Sequence, residues 1–122
     1  MKRLLNLAQA IISKDGKVYV SGCVGLAADG VESKKLAEGG VQAQARSAIE
    51  NMGKVLKAAG SGLDHVLKTN VFLSDLPNDF GPMNEVYYTF FKKGQMPART
   101  CIGVKDLPLG AAFEIECIAD LA

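Results

Sequence analysis

The chain has 122 residues, 48% of them hydrophobic and 22% charged, with a formal net charge of +1 at pH 7. That length fits one domain, residues 1–122, with a core of its own, and the near-neutral balance argues against nucleic acid as a partner, because phosphate binding leaves a basic excess. Three cysteines without C-x-x-C spacing (Cys23, Cys101, Cys117) and a single histidine, His65, argue against a disulfide framework, a zinc site or a histidine-based triad, and no apolar run approaches the ~20 residues of a membrane span.

The opening "MKRLLNLAQAII" is basic and then apolar. It reads either as the remnant of a targeting segment or as a first strand; the strand, over residues 8–13, is preferred because no small-x-small cleavage pattern follows. Asp15-Gly16 is a turn signal between two β-favouring runs and predicts a hairpin. In its second strand, residues 17–21, Val18 and Val20 share one face and Tyr19 the other. Residues 22–40 lack periodicity and carry Asp29-Gly30 and Gly39-Gly40, as a long surface connection does. Over residues 41–59, Val41, Ala45, Ala48, Ile49, Met52, Val55, Leu56 and Ala59 trace the stripe of an amphipathic helix. Gly60 stands ready as its left-handed terminator, and Gly53, inside, suggests close packing on a sheet. "VLKTNVFL" within residues 63–73 predicts a strand. A second helix, capped by Asn78 or Asp79 with Gly81-Pro82 in its first turn, runs to about Phe91. Phe80, Met83, Val86, Tyr87, Phe90 and Phe91 form its apolar stripe. Residues 99–104 and 112–119 are the last two strands. The order β-β-α-β-α-β-β predicts an α+β fold with two helices on one face of a sheet.

The last two strands hold the most chemistry. Arg99, Cys101 and Gly103 alternate with Thr100, Ile102 and Val104; Glu114, Glu116 and Ile118 alternate with Phe113, Ile115 and Cys117. If both apolar sets face the helices, Arg99 and Cys101 share the far side of the sheet with Glu114 and Glu116. That face is either a solvated surface with incidental ion pairs or an anion site. In the second case the arginine fork takes a carboxylate, a glutamate activates a water, and Gly103 admits close approach to the backbone. Cys117 falls on the core parity. Cys101 reads as a small lining residue rather than a nucleophile. The open sheet face, with Ile118, invites cover by a second copy of the chain, which would put a site in a cleft between subunits.

The run "PARTCIGVKDLPLGAAFEIECIA" (97–119) closely resembles the signature of the RidA (YjgF) family, also known as the L-PSP endoribonuclease family. "VYVSG" (18–22), "AAGSGLDHVLKTNVFLSDL" (58–76) and "MNEVYYTFF" (83–91) match in the same order. The resemblance implies a chorismate-mutase-like subunit with a mixed sheet. Three such subunits form a homotrimeric barrel with the helices outside and ligand clefts at the subunit interfaces. It implies hydrolysis of reactive 2-imino or 2-enamine acids, such as 2-aminoacrylate and 2-iminobutanoate, to 2-keto acids and ammonia without a cofactor. Position by position, it implies that Arg99 grips the substrate carboxylate, Glu114 holds the catalytic water, and Cys101, Asn84, Ser21 and Gly22 border the ligand. Two departures stand out: "LNLAQA" puts Leu7 where deaminase-type members carry a tyrosine, and Cys23 replaces a glutamine. The competing readings are a non-catalytic carboxylate-binding or chaperone-like trimer, and an endoribonuclease or translation inhibitor. A reducing compartment fits the cysteine usage; the expected location is the cytoplasm, with the mitochondrion as the alternative.

Overall fold

The computed structural model describes residues 2–4, 9–27 and 35–122. Six strands form one mixed sheet: β1 (Lys2–Leu4), β2 (Ala10–Ile12), β3 (Lys17–Val24), β4 (Val66–Leu73), β5 (Ala98–Gly103) and β6 (Phe113–Asp120), in the spatial order β1-β2-β3-β6-β4-β5. All neighbours are antiparallel except β4 and β5. Helices α1 (Gly40–Ala58) and α2 (Leu76–Phe90) pack against each other, α1 across β3 and β6 and α2 beside β4. Of the described residues, β1 is the element that the expected order lacks. Leu7, and Ala8 at the start of the expected first strand, lie outside the described residues.

The hairpin turn forms at Asp15-Gly16, where Gly16 takes φ +86° and donates to the Ser13 carbonyl. β3 runs three residues past the expected end at Ser21: a bulge at Ser21 and Gly22 interrupts the alternation, and pairing with β6 resumes at Cys23 and Val24. Val18 and Val20 are buried on the helix side and Tyr19 is exposed on the other.

In α1 the predicted stripe faces the sheet: Ala45, Ala48, Ile49, Met52 and Leu56 are fully buried. Each large apolar side chain buried this way contributes about 1.5–3 kcal/mol, which outweighs the ~1 kcal/mol that Gly53 costs a helix interior. The sequence suggests that Gly53 packs closely on a sheet, but its neighbour is Leu63 instead. A side chain there would press on Leu63, 3.2 Å away, in the 3₁₀ turn Leu63–His65 that precedes β4. Gly60 takes φ +87° just past the helix end. His65 closes the 3₁₀ turn, half-exposed, with Asp64 3.7 Å away.

α2 begins two or three residues before the expected cap. Asp75 holds the capping position, and Asn78, now inside the helix, donates to both Asp75 carboxylate oxygens at 3.2 and 2.9 Å. Pro77 takes the first turn that was expected for Pro82, which sits in the helix interior. Met83, Val86, Tyr87 and Phe91 are buried, whereas Phe80 is 42% exposed.

The parity of β5 is the main correction. Register pairs Thr69 with Arg99 and Val71 with Cys101 across β4 and β5, and Thr69 with Cys117 and Val71 with Ile115 across β4 and β6. Laterally paired residues share a face, so Arg99 and Cys101 point to the helix side, with the core. Glu114 and Glu116 point to the open side, with Phe72, Asn70, Thr100 and the 45%-exposed Ile102. Assigning the more apolar set to the helices fails here because β5 is an edge strand and α2 brings it a polar and aromatic surface. Gly103, too, faces the chain's own helix: a side chain there would lie 3.1 Å from Leu76 at the start of α2.

Candidate active site

The predicted residues fall into two groups. The first lies between β5 and α2. Arg99 Nη1 donates to Asn84 Oδ1 at 2.7 Å. The guanidinium carbon stands 4.7 Å from the ring centre of Tyr87, 5.8 Å from Phe80 and 5.9 Å from Tyr88. Phe80, Asn84, Tyr87 and Tyr88 recur at i, i+4, i+7 and i+8, one face of the helix, so a single α2 surface frames the cation. Among the described residues no carboxylate pairs with Arg99. Its remaining N–H donors, in a fixed planar fork, are therefore left for an anion. Cys101 lies two residues along the same face; burial pushes its thiol pKa up, partly offset by the Arg99 charge. It is a neutral thiol at pH 7, a lining group and not an activated nucleophile.

Ser21, Gly22 and Glu114 make the second group, where the β3 bulge meets β6. A Cβ on Gly22 would fall 1.9 Å from Glu114 Oε1, so the missing side chain is the space the carboxylate occupies. Burial first, and then the charge of Glu116, raise the Glu114 pKa above the ordinary glutamate value. Such a carboxyl is a better proton acceptor than an exposed one when ionised. Asn70 holds Glu116 through a 3.2 Å hydrogen bond. Cys23 donates to the Ser21 carbonyl at 3.3 Å, and burial and then Glu114 push its thiol up to about 11. The core thiol Cys117 is pushed up to about 12, chiefly by burial. Two concavities of about 320 Å³ flank Ser21, one toward Asn70 and Glu116 and one toward Asn51 and Lys54; neither reaches Arg99.

Arg99 and Glu114 are thus two strands apart, three residues out of level and on opposite faces of the sheet. Ordinary strand spacings put their backbones roughly 14 Å apart. Sequence reasoning placed Arg99, Asn84, Cys101, Ser21, Gly22 and Glu114 in one site, whereas the structure divides them into these two groups; it also missed Thr69, Tyr88 and the ring contacts of Tyr87 and Phe80. The helical spacing of the aromatics around Asn84 was the available signal.

The chain resembles known proteins along nearly its whole length. A family model described as Endoribonuclease L-PSP matches residues 3–121. The Drosophila melanogaster RutC family protein UK114 is 54% identical over 111 residues, 91% of this chain and 76% of that protein. A Mus musculus protein named 2-iminobutanoate/2-iminopropanoate deaminase is 45% identical over 108 residues, 88% of this chain and 76% of its own. The crystal structure of RidA from an Antarctic Psychrobacter superposes with a TM-score of 0.83 at 36% identity, covering 98% of this chain and 92% of that one. With both the matched signature and the α+β topology in agreement, the chain belongs to the Endoribonuclease L-PSP family, the group also called RidA or YjgF.

Proposed function

We propose that this protein hydrolyses reactive 2-imino acids, and their 2-enamine tautomers, to 2-keto acids and ammonia. The observation that carries the reading is the Arg99 guanidinium, pinned by Asn84 and three aromatic rings yet paired with no carboxylate among the described residues. Such a fork suits one planar carboxylate held by two parallel hydrogen bonds. The curated relatives named as deaminases of 2-iminobutanoate and 2-iminopropanoate support the choice of substrate.

In the proposed reaction Arg99 takes the substrate carboxylate and so fixes the imine carbon bonded directly to it. An ionised glutamate orients a water and accepts its proton as the oxygen attacks C2. The glutamic acid returns that proton to the nitrogen, giving a neutral carbinolamine; as the C–N bond breaks, the carbinolamine hydroxyl proton passes to the nitrogen, ammonia leaves and the 2-keto acid remains. No redox step occurs and no cofactor is required. Imines hydrolyse unaided in water, so the site's contribution is largely positioning.

A substrate of four carbons cannot touch Arg99 and Glu114 of one chain, given their opposite faces. The reading therefore includes a homotrimer in which Arg99, Asn84 and Cys101 of one subunit meet Ser21, Gly22 and Glu114 of the partner subunit. Exposed Tyr19 and Ile102 on the open sheet face support cover by further copies of the chain. A native mass equal to one chain would refute this arrangement.

The direct test generates 2-aminoacrylate or 2-iminobutanoate with a dehydratase and follows imine loss with and without the protein. Acceleration is expected, declining in acid. Because the Glu114 pKa is raised, the carboxylate protonates, and activity falls, at a pH above the ordinary glutamate range. Glu114→Gln should abolish that limb of the kcat/KM profile together with most of the rate. No acceleration by the wild-type protein would exclude the function. A second variant probes the β3 bulge. In Gly22→Ala the new methyl group displaces only the flexible end of Glu114, so calorimetry should show a nearly unchanged Tm while kcat drops. A large loss of Tm with kcat retained would show that the contact is structural alone.

A further inference from the structure

We infer that Tyr87, locked by Thr69, is a positioning residue for the carboxylate clamp: its ring seats the Arg99 guanidinium in the orientation that receives substrate. The inference rests on Arg99 being that clamp, and it concerns the side of the arginine that the substrate does not touch.

Tyr87 and Thr69 are buried, 1% and 0% exposed, and their hydroxyl oxygens are 2.7 Å apart. A phenol this deep needs a hydrogen-bond partner, and the partner chosen is informative. Thr69 is the lateral neighbour of Arg99 across β4 and β5, on the same face. Its β-branched side chain is stiff about χ1. The hydroxyl pair therefore ties the α2 ring to the strand residue directly beside the arginine. With the phenol end held, the ring cannot pivot about its axis to α2, and its face stays 4.7 Å from the guanidinium carbon, within cation–π range. Asn84, three residues earlier on the same helix face, takes Nη1 from the side. The cation is thus held by one face and one edge before any ligand arrives, which lowers the ordering cost of binding. Burial raises the Tyr87 pKa, while Thr69 and Arg99 oppose that rise, so the hydroxyl is a protonated hydrogen-bonding group at neutral pH. A tyrosine serving only to fill the core needs a partner for its hydroxyl but no cation against its ring.

The test measures the Kd of 2-oxobutanoate, an unreactive carboxylate of product type, by calorimetric titration of the full-length protein, alongside imine-hydrolysis kinetics and Tm. Tyr87→Leu removes the seat, and binding should weaken by about threefold to tenfold. KM should rise to match while kcat holds. Tyr87→Phe keeps the ring but frees it, and about twofold weakening is expected. Thr69→Val should do the same. The double variant Tyr87→Phe/Thr69→Val should be no worse than either single change, because both break one hydrogen bond. Wild-type Kd in Tyr87→Phe, Thr69→Val and Tyr87→Leu, with only Tm lowered, would overturn the inference; if Tyr87→Leu fails to fold, the other two decide it alone. The control is Arg99→Ala: if it binds 2-oxobutanoate as the wild type does, the clamp itself is wrong. Should Arg99→Ala lose binding while the Tyr87 and Thr69 variants keep it, only the positioning role falls.

Discussion

Replacing Arg99 with alanine should reduce kcat/KM for 2-iminobutanoate by about a hundredfold to a thousandfold, the scale of a lost charge-assisted, bidentate carboxylate contact. The fold should survive. Arg99 is only half-buried, lies on an edge strand and forms no ion pair among the described residues. Its removal empties a polar niche under Asn84 without leaving a buried charge behind. Arg99→Lys should recover little of the loss. A lysine carries the charge but lacks the planar fork and the flat cation that lies over Tyr87. Imine loss measured against spontaneous hydrolysis, with Tm recorded for each variant, checks both statements. Undiminished turnover by Arg99→Ala would remove the chemical basis of the proposed reaction.

The chain's secondary structure was largely readable from periodicity, and its site only partly so. The stripe from Val41 to Ala59 specified α1 because one helix face is buried almost completely against the sheet. The strand β6 was equally clear, since Phe113, Ile115, Cys117 and Ala119 are buried in strict alternation. The same logic misplaced Arg99. On β5 the more apolar set, Thr100 and Ile102, faces away from the helices, and the set with the arginine faces toward them. Composition reports what water excludes on average. It does not report that α2 presents an asparagine and three aromatic faces at that spot, because this depends on how β4, α2 and β5 dock. The limits of α2 were missed for a local reason: Asp75, Asn78 and Asp79 are all capping types, and the structure puts Asp75 at the cap with Asn78 inside the helix, donating to its carboxylate. The family signature named residues without their geometry. It joined Arg99 and Glu114 in one list, while the sheet separates them.

That separation makes the strongest prediction for the assembly. Arg99→Ala and Glu114→Gln each disable one half of every site. If one chain supplied both halves, mixtures of the two variants would stay as inactive as their parents. If each site takes Arg99 from one subunit and Glu114 from the next, a mixed trimer contains some interfaces where both contributing chains are intact. Random reassembly of equal amounts gives an intact arginine half the time and an intact glutamate half the time, so about one quarter of the interfaces are whole. Co-refolded or co-expressed variants should therefore regain about a quarter of the wild-type kcat per site, up from near zero. Simple mixing of preformed trimers should regain nothing until subunits exchange. The regained sites should show wild-type KM and the wild-type acid limb, because each is chemically complete. Activity that remains at the parental level after verified subunit mixing would mean that Arg99 and Glu114 do not meet across an interface. Given the opposite faces they occupy on the sheet, Glu114 could then not be the group that activates water for a substrate held by Arg99.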